Sequence, residues 1–150
     1  MTGSIAAGAA GDIADGTART AITREPFGPL GDGSAVERWT RVAGGTRVRV
    51  LTYGGIVQSI EVPGRDGAYA NVALGLASLE DYVTHTGPYF GALVGRYANR
   101  IAGAAFTLDG RVHRLPRNAG SASLHGGERG FDKRVWDAEG AATGDGGVAL

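Results

Sequence analysis

The 150-residue sequence has no cysteine and a single methionine. The missing cysteine excludes disulfides, thiolate nucleophiles and cysteine-ligated zinc together. Neither sign of charge dominates, because 15 basic and 15 acidic side chains cancel. No global field therefore draws the chain to nucleic acid or to an anionic membrane surface. No apolar run approaches the ~18 residues that cross a bilayer. No Lys or Arg precedes Arg19, so the start lacks the charged region of a signal peptide. Several motifs are absent as well: G-x-S-x-G, a phosphate-binding P-loop, G-x-G-x-x-G after a strand, and H-E-x-x-H. Their absence leaves esterase chemistry, nucleotide phosphate binding and metal ligation without support. These absences give a soluble, cytoplasmic protein with no cofactor, no metal, no nucleic-acid partner and no membrane partner as the expectation. Oligomeric state stays open.

Glycine is what the chain has in quantity. Twenty-seven glycines and 5 prolines make up about a fifth of it, and each glycine inside a helix costs about 1 kcal/mol against alanine. Long helices are disfavoured, and short strands joined by tight turns are expected. Residues 1–33 are rich in Gly, Ala, Thr and Asp without sustained period and read as a flexible leader, with a first apolar anchor around Phe27 to Leu30. From Ala35 the chain alternates. Val36, Arg38, Thr40 and Val42 share one face, Glu37, Trp39 and Arg41 the other. Gly44-Gly45 then turns the chain into the alternating Arg and Val of Thr46 to Thr52. Ile56 to Val62 resumes the pattern, Pro63-Gly-Arg-Asp-Gly67 ends it, and Tyr69 to Leu74 is the next expected strand. Ser78 is placed to cap a short helical turn, with Asp81 three residues on. In Phe106-Thr-Leu-Asp-Gly-Arg-Val-His-Arg-Leu115, Asp109-Gly110 supplies a type I′ turn that sets Phe106 opposite His113 and Leu108 opposite Arg111. Val135 to Asp137 is expected to start a strand, 141–147 to be a turn or loop, and 147–150 to be the beginning of another strand. Short strands with glycine turns every 8–12 residues suggest an all-β, antiparallel β-sandwich. It reads as incomplete, spanning 34–150, because the last strand ends on an apolar half.

Three histidines are available for chemistry: His85, His113 and His125. His113 faces Phe106 across the hairpin and is expected to pack on its ring. His85 follows the helical turn and is expected to lie in solvent. His125 sits in Ser121-Ala-Ser-Leu-His-Gly-Gly127, where small neighbours leave room for a ligand or a backbone to approach. A second constellation is Tyr89-Phe-Gly-Ala-Leu-Val-Gly-Arg-Tyr-Ala-Asn-Arg-Ile101. Phe90, Leu93 and Val94 are expected in a core. Arg96, Asn99 and Arg100 form either an internal ion pair with one of the acids or a fork of donors for an oxygen-rich ligand.

Taken together, Tyr53-Gly-Gly-Ile56, the Gly-Arg-x-x-Asn-Arg-Ile of Gly95 to Ile101, the Leu-Asp-Gly hairpin and Ser123-Leu-His-Gly-Gly-Glu-Arg-Gly-Phe-Asp-Lys133 resemble the N-terminal part of the aldose 1-epimerase, or galactose mutarotase, family. The resemblance runs from about Val36 to Trp136. It implies a large antiparallel β-sandwich and the interconversion of α and β anomers of free hexoses such as galactose and glucose. A base takes the anomeric proton, an acid protonates the ring oxygen, and the ring opens and recloses without a cofactor. By resemblance Asn99, Arg100 and His125 bind the sugar in one hollow. The family's acid histidine and base glutamate come later in its chains, so no catalytic residue is assigned here, and the 150-residue chain is expected to be inactive alone. A non-catalytic carbohydrate-binding module and a hexose-phosphate relative are the other readings. The Gly/Ala leader departs from what the family requires.

Overall fold

A computed structural model describes residues 20–142 and 148–149. Five strands, β1 (Ala21–Pro29), β2 (Ala35–Ala43), β3 (Thr46–Leu51), β4 (Ile56–Pro63) and β5 (Tyr69–Asn71), form one antiparallel sheet in chain order. The Gly44-Gly45 hairpin closes with Ala43 opposite Thr46 and both glycines at positive φ, the geometry that a type I′ turn needs.

β1 corrects the reading of residues 1–33 as a leader. Its nine residues pair along β2, from Ala21 opposite Val42 to Pro29 opposite Ala35. The register shifts between Pro26 and Gly28, and this bulge at Phe27 breaks the period-two alternation by which a strand is recognised. Residues 1–19 lie outside the described part. At the far edge, β5 is shorter than expected. Asn71 turns its Oδ1 back to accept from the Ile60 and Ala73 N–H groups at 3.0 and 3.1 Å, ending the ladder before Leu74.

One face of the sheet carries the core. Val36, Leu51, Tyr53 and Ile56 pack with Leu79 and Tyr82 of a six-residue helix, α1 (Leu79–Thr84), and Phe27, Leu30, Leu76 and Ala92 close around them. Each fully buried aliphatic here contributes about 1.5–3 kcal/mol relative to exposure. Ser78 caps α1 as expected, its Oγ accepting from the Asp81 N–H at 3.1 Å. Farther along the same face Arg47 and Arg49 of β3 both reach Glu61 of β4, Arg47 at 2.8 Å. On the opposite face Trp39 is buried, with the Arg24 guanidinium over its ring and Gly140 against it.

The rest of the described chain makes two-stranded pairs. β6 (Arg100–Ile101) pairs with β9 (Ser123–Leu124), β7 (Ala105–Leu108) with β8 (Arg111–Arg114), and β10 (Ala141–Ala142) with β11 (Val148–Ala149). The β7–β8 hairpin has the expected register, Phe106 opposite His113 and Leu108 opposite Arg111, with Asp109 and Gly110 both at positive φ. Val135 to Asp137 is not a strand. Val135 makes a single bridge to Tyr53, and the Trp136 N–H donates to the Thr52 carbonyl at 2.8 Å. Leu93 and Val94, expected in the core, are 48% and 38% exposed. Backbone hydrogen bonds from Leu93 to Gly54 and from Val57 to Gly91 hold this segment to the sheet. Leu93 therefore lies across Gly55 with its outer side open.

Candidate functional site

The two segments singled out by their side chains meet at the β6–β9 pair. Arg100 stands opposite Leu124 and Ile101 opposite Ser123. One step beyond the ladder Asn99 and His125 bind each other twice. The His125 N–H donates to the Asn99 carbonyl at 3.1 Å, and the Asn99 N–H donates to His125 Nδ1 at 3.0 Å. A backbone N–H can only donate, so Nδ1 must accept, and the proton of the neutral imidazole sits on Nε2. The ring therefore presents an Nε2–H donor away from the backbone.

Both residues adopt positive φ, 60° for Asn99 and 52° for His125. Tyr89, at φ 54°, sets its ring edge-on to the imidazole with centroids 4.9 Å apart. Only five non-glycine residues of the described chain have positive φ, and this touching trio supplies three. Such conformations cost about 1–3 kcal/mol each and persist where the surroundings over-determine them.

The surroundings do so here. Asn118 brackets Leu124 with its side-chain amide, donating to the Leu124 carbonyl at 2.9 Å and accepting from its N–H at 2.8 Å. Tyr97 hydrogen-bonds Ser123, which is fully buried. Behind His125, a Cβ on Gly126 would fall 1.9 Å from the Gly95 carbonyl oxygen, so only glycine permits the two segments to close. Sequence reasoning found His125 and its small neighbours but missed Tyr89, Asn118 and Lys133. Their types carry no signal until the fold brings Tyr89 against the imidazole, Asn118 against Leu124 and Lys133 over Tyr89.

Of the predicted site residues, Asn99 and Arg100 are exposed and His125 is half-buried. The guanidinium of Arg100 has no ion pair or hydrogen bond among the described residues, which leaves its planar fork available. Arg96 makes no ion pair among them either and lies over the Phe131 ring at 5.6 Å. His85 is exposed at the end of α1, and His113 stacks on Phe106 at 5.1 Å, as expected for both.

Two concavities border the constellation. A narrow cleft beside Tyr89 is lined by Tyr53, Tyr82, His85, Asp132 and Lys133. Burial raises the Tyr53 and Tyr82 phenols above their ordinary value. A wide, open hollow of about 690 Å³ lies beside Gly126, between Tyr97, Phe106, Phe131 and Trp136, with Arg96, Arg129 and Arg134 on its walls. Asn99, Arg100 and His125 line neither of these two. Among the described residues no three His, Asp or Glu side chains group as metal ligands, and no helix is long and apolar enough to cross a membrane.

The family model for aldose 1-epimerase matches residues 38–150. The chain is 46% identical to the galactose mutarotase of Sus scrofa over 116 residues, covering 77% of this chain and 34% of that protein. It is 43% identical to the galactose mutarotase of Homo sapiens over 116 residues, with the same coverage. The aldose 1-epimerase of Haemophilus influenzae is 47% identical over 93 residues, covering 62% of this chain and 26% of that protein. Among solved structures, the galactose 1-epimerase from Lactobacillus acidophilus superimposes with a TM-score of 0.69 at 28% identity, covering 83% of this chain and 36% of that one. That likeness agrees with the all-β, antiparallel sandwich architecture. The matched part spans about a third of the length of the curated galactose mutarotases. By its sequence match and by its fold, the chain belongs to the aldose 1-epimerase family.

Proposed function

We propose that the chain carries the sugar-holding part of an aldose 1-epimerase site, with Asn99, Arg100 and His125 binding a free hexose such as galactose or glucose. The observation that carries this reading is the reciprocal pair between Asn99 and His125. It leaves a neutral imidazole with Nε2–H as its donor, and Arg100, the residue after Asn99, keeps an exposed guanidinium without a partner among the described residues. A hexose offers hydroxyl and ring oxygens, and these two groups supply donors of complementary kind: a single directed N–H and a flat fork that spans neighbouring oxygens.

In this reading the whole protein interconverts the α and β anomers of the sugar in the cytoplasm, without a cofactor. Ring opening needs a base for the anomeric proton and an acid for the ring oxygen. His125 is not that base, because its Nδ1 lone pair is engaged by Asn99. It orients the sugar and donates a hydrogen bond. By the family resemblance the acid histidine and the base glutamate come later in the family's chains than the part matched by this sequence, so the 150-residue chain is expected to bind sugar and not to turn it over.

The test has two arms. Titration of the chain with galactose is expected to saturate, and His125→Ala to weaken binding about threefold to tenfold, the worth of one hydrogen bond. Freshly dissolved α-galactose is expected to mutarotate in its presence at the rate of buffer alone. No saturable binding contradicts the sugar assignment, and a rate above buffer contradicts the assignment of acid and base elsewhere. The exposed arginines at the wide hollow favour one further reading, a hexose phosphate as substrate. Tighter binding of galactose 6-phosphate than of galactose would support it.

A further inference from the structure

We infer that Asp132 and Lys133 are positioning residues for His125: the buried carboxylate pins the ammonium over Tyr89, and the Tyr89 ring in turn holds the imidazole. The inference rests on the reading of His125 as a donor to a ligand, and it extends that reading to residues with no contact to the ligand.

Three observations converge. Lys133 Nζ lies 2.5 Å from Asp132 Oδ2 and 5.2 Å from the centroid of Tyr89, a cation held against a ring face. That ring meets the His125 imidazole edge-on at 4.9 Å. Asp132 also lies close behind the His125 backbone, on the far side of Gly130. A Cβ on Gly130 would stand 2.5 Å from the His125 carbonyl oxygen and 2.6 Å from Asp132 Oδ1, so carboxylate and histidine backbone close on the same glycine.

The chemistry explains why a buried carboxylate belongs here. Asp132 is 6% exposed, and its Oδ1 has no hydrogen-bond donor among the described residues. An incompletely satisfied buried carboxylate is unfavourable unless paired. The adjacent Lys133 supplies that partner, and the pairing confines an otherwise flexible four-carbon stem to one direction. Asn99 fixes one edge of the imidazole by hydrogen bonding, and Tyr89 fixes its side by packing. Without Tyr89 held in place, the ring is free to rotate off the Asn99 N–H and to carry its proton on Nδ1, which turns the donor away from the ligand.

The experiment is long-range proton–nitrogen NMR of the His125 ring in the 150-residue chain, for wild type, Lys133→Met and Lys133→Arg, each also titrated with galactose. Wild type is expected to show Nδ1 as the unprotonated acceptor and Nε2 as the protonated nitrogen. In Lys133→Met, with the backbone spectrum retained, the two ring nitrogens are expected to average toward a tautomer mixture. Galactose affinity is then expected to fall roughly threefold to tenfold, the scale of one aromatic contact. Lys133→Arg restores a cation above Tyr89 and is expected to recover most of both. A folded Lys133→Met chain with the wild-type ring spectrum overturns the inference. Should that variant lose its fold, Tyr89→Leu removes the ring contact directly. A mixed tautomer in it supports the inference and an unchanged one overturns it. If wild type binds no galactose, the sugar reading fails by itself, and the ring spectra still decide the role of Asp132 and Lys133.

Discussion

The meander from Ala21 to Asn71 and the segment from Pro88 to Trp136 are built on different physics. The meander is held by a ladder of backbone hydrogen bonds and by a face of Val36, Leu51, Tyr53 and Ile56 closed over α1. The second segment has only two-residue and four-residue strands and few buried apolar side chains. Glycines that let backbones touch hold it, together with side-chain bonds to backbone from Asn118 and His125. The first is held mainly by its ladder and its buried face, and the second mainly by close approaches of backbone. The candidate site lies in the second. Donors aimed at a ligand need fixed backbone positions more than they need buried area.

Substitutions sharpen the contrast. The largest expected effect is Gly126→Ala, where the new Cβ meets the Gly95 carbonyl at 1.9 Å and the backbone holds φ at +92°. No rotamer relieves a backbone clash, and a loss of about 4 kcal/mol or more is expected in chemical denaturation. If Gly126→Ala melts like wild type, the second segment is not held by close approach. Leu51→Ala, at a fully buried position of the scaffold, is expected to cost about 2–5 kcal/mol by the same measurement. That cost should fall on the whole fold, with no selective change at the Asn99 and His125 resonances. Raising the pH through and above 10.0, the ordinary tyrosine value, separates the regions in another way. Burial raises Tyr53 and Tyr82 of the scaffold, so both stay neutral in the folded chain where the unfolded chain already ionises. The stability they contribute is complete below the ordinary value and is lost as pH climbs through the raised ones. Denaturation midpoints should fall over that window, and replacing both tyrosines by Phe should flatten the fall. The smallest effect is expected at Gly103, whose φ is +65° but whose Cβ would meet nothing within 4 Å. Gly103→Ala should cost only about 1 kcal/mol, the strain of the backbone alone. A loss comparable to Gly126→Ala would show that positive φ, and not crowding, governs both.

The same division explains what was legible in the sequence. Alternation around Gly44-Gly45 and Asp109-Gly110 gave the correct hairpins, because a period of two with a paired turn is local information. The bulge at Phe27 hid β1, since one inserted residue reverses the alternation on which the reading relied. Val135 and Trp136 looked like a strand but make one bridge, because their partners at Thr52 and Tyr53 lie where the sheet turns away. At the candidate site, His125 was singled out by its small neighbours, and Asn99 and Arg100 by polar groups in an apolar stretch and by family resemblance. Tyr89 and Lys133 were not found, because an edge-on ring and a cation above it are relations between distant segments.

The central claim is that Asn99, Arg100 and His125 form one hexose-binding surface. Chemical-shift mapping of the 150-residue chain titrated with galactose tests it most directly. Saturable shifts are expected, concentrated at the Asn99, Arg100 and His125 amides and at the His125 Nε2–H. Shifts confined to the hollow between Phe106 and Trp136, or none that saturate, would contradict it.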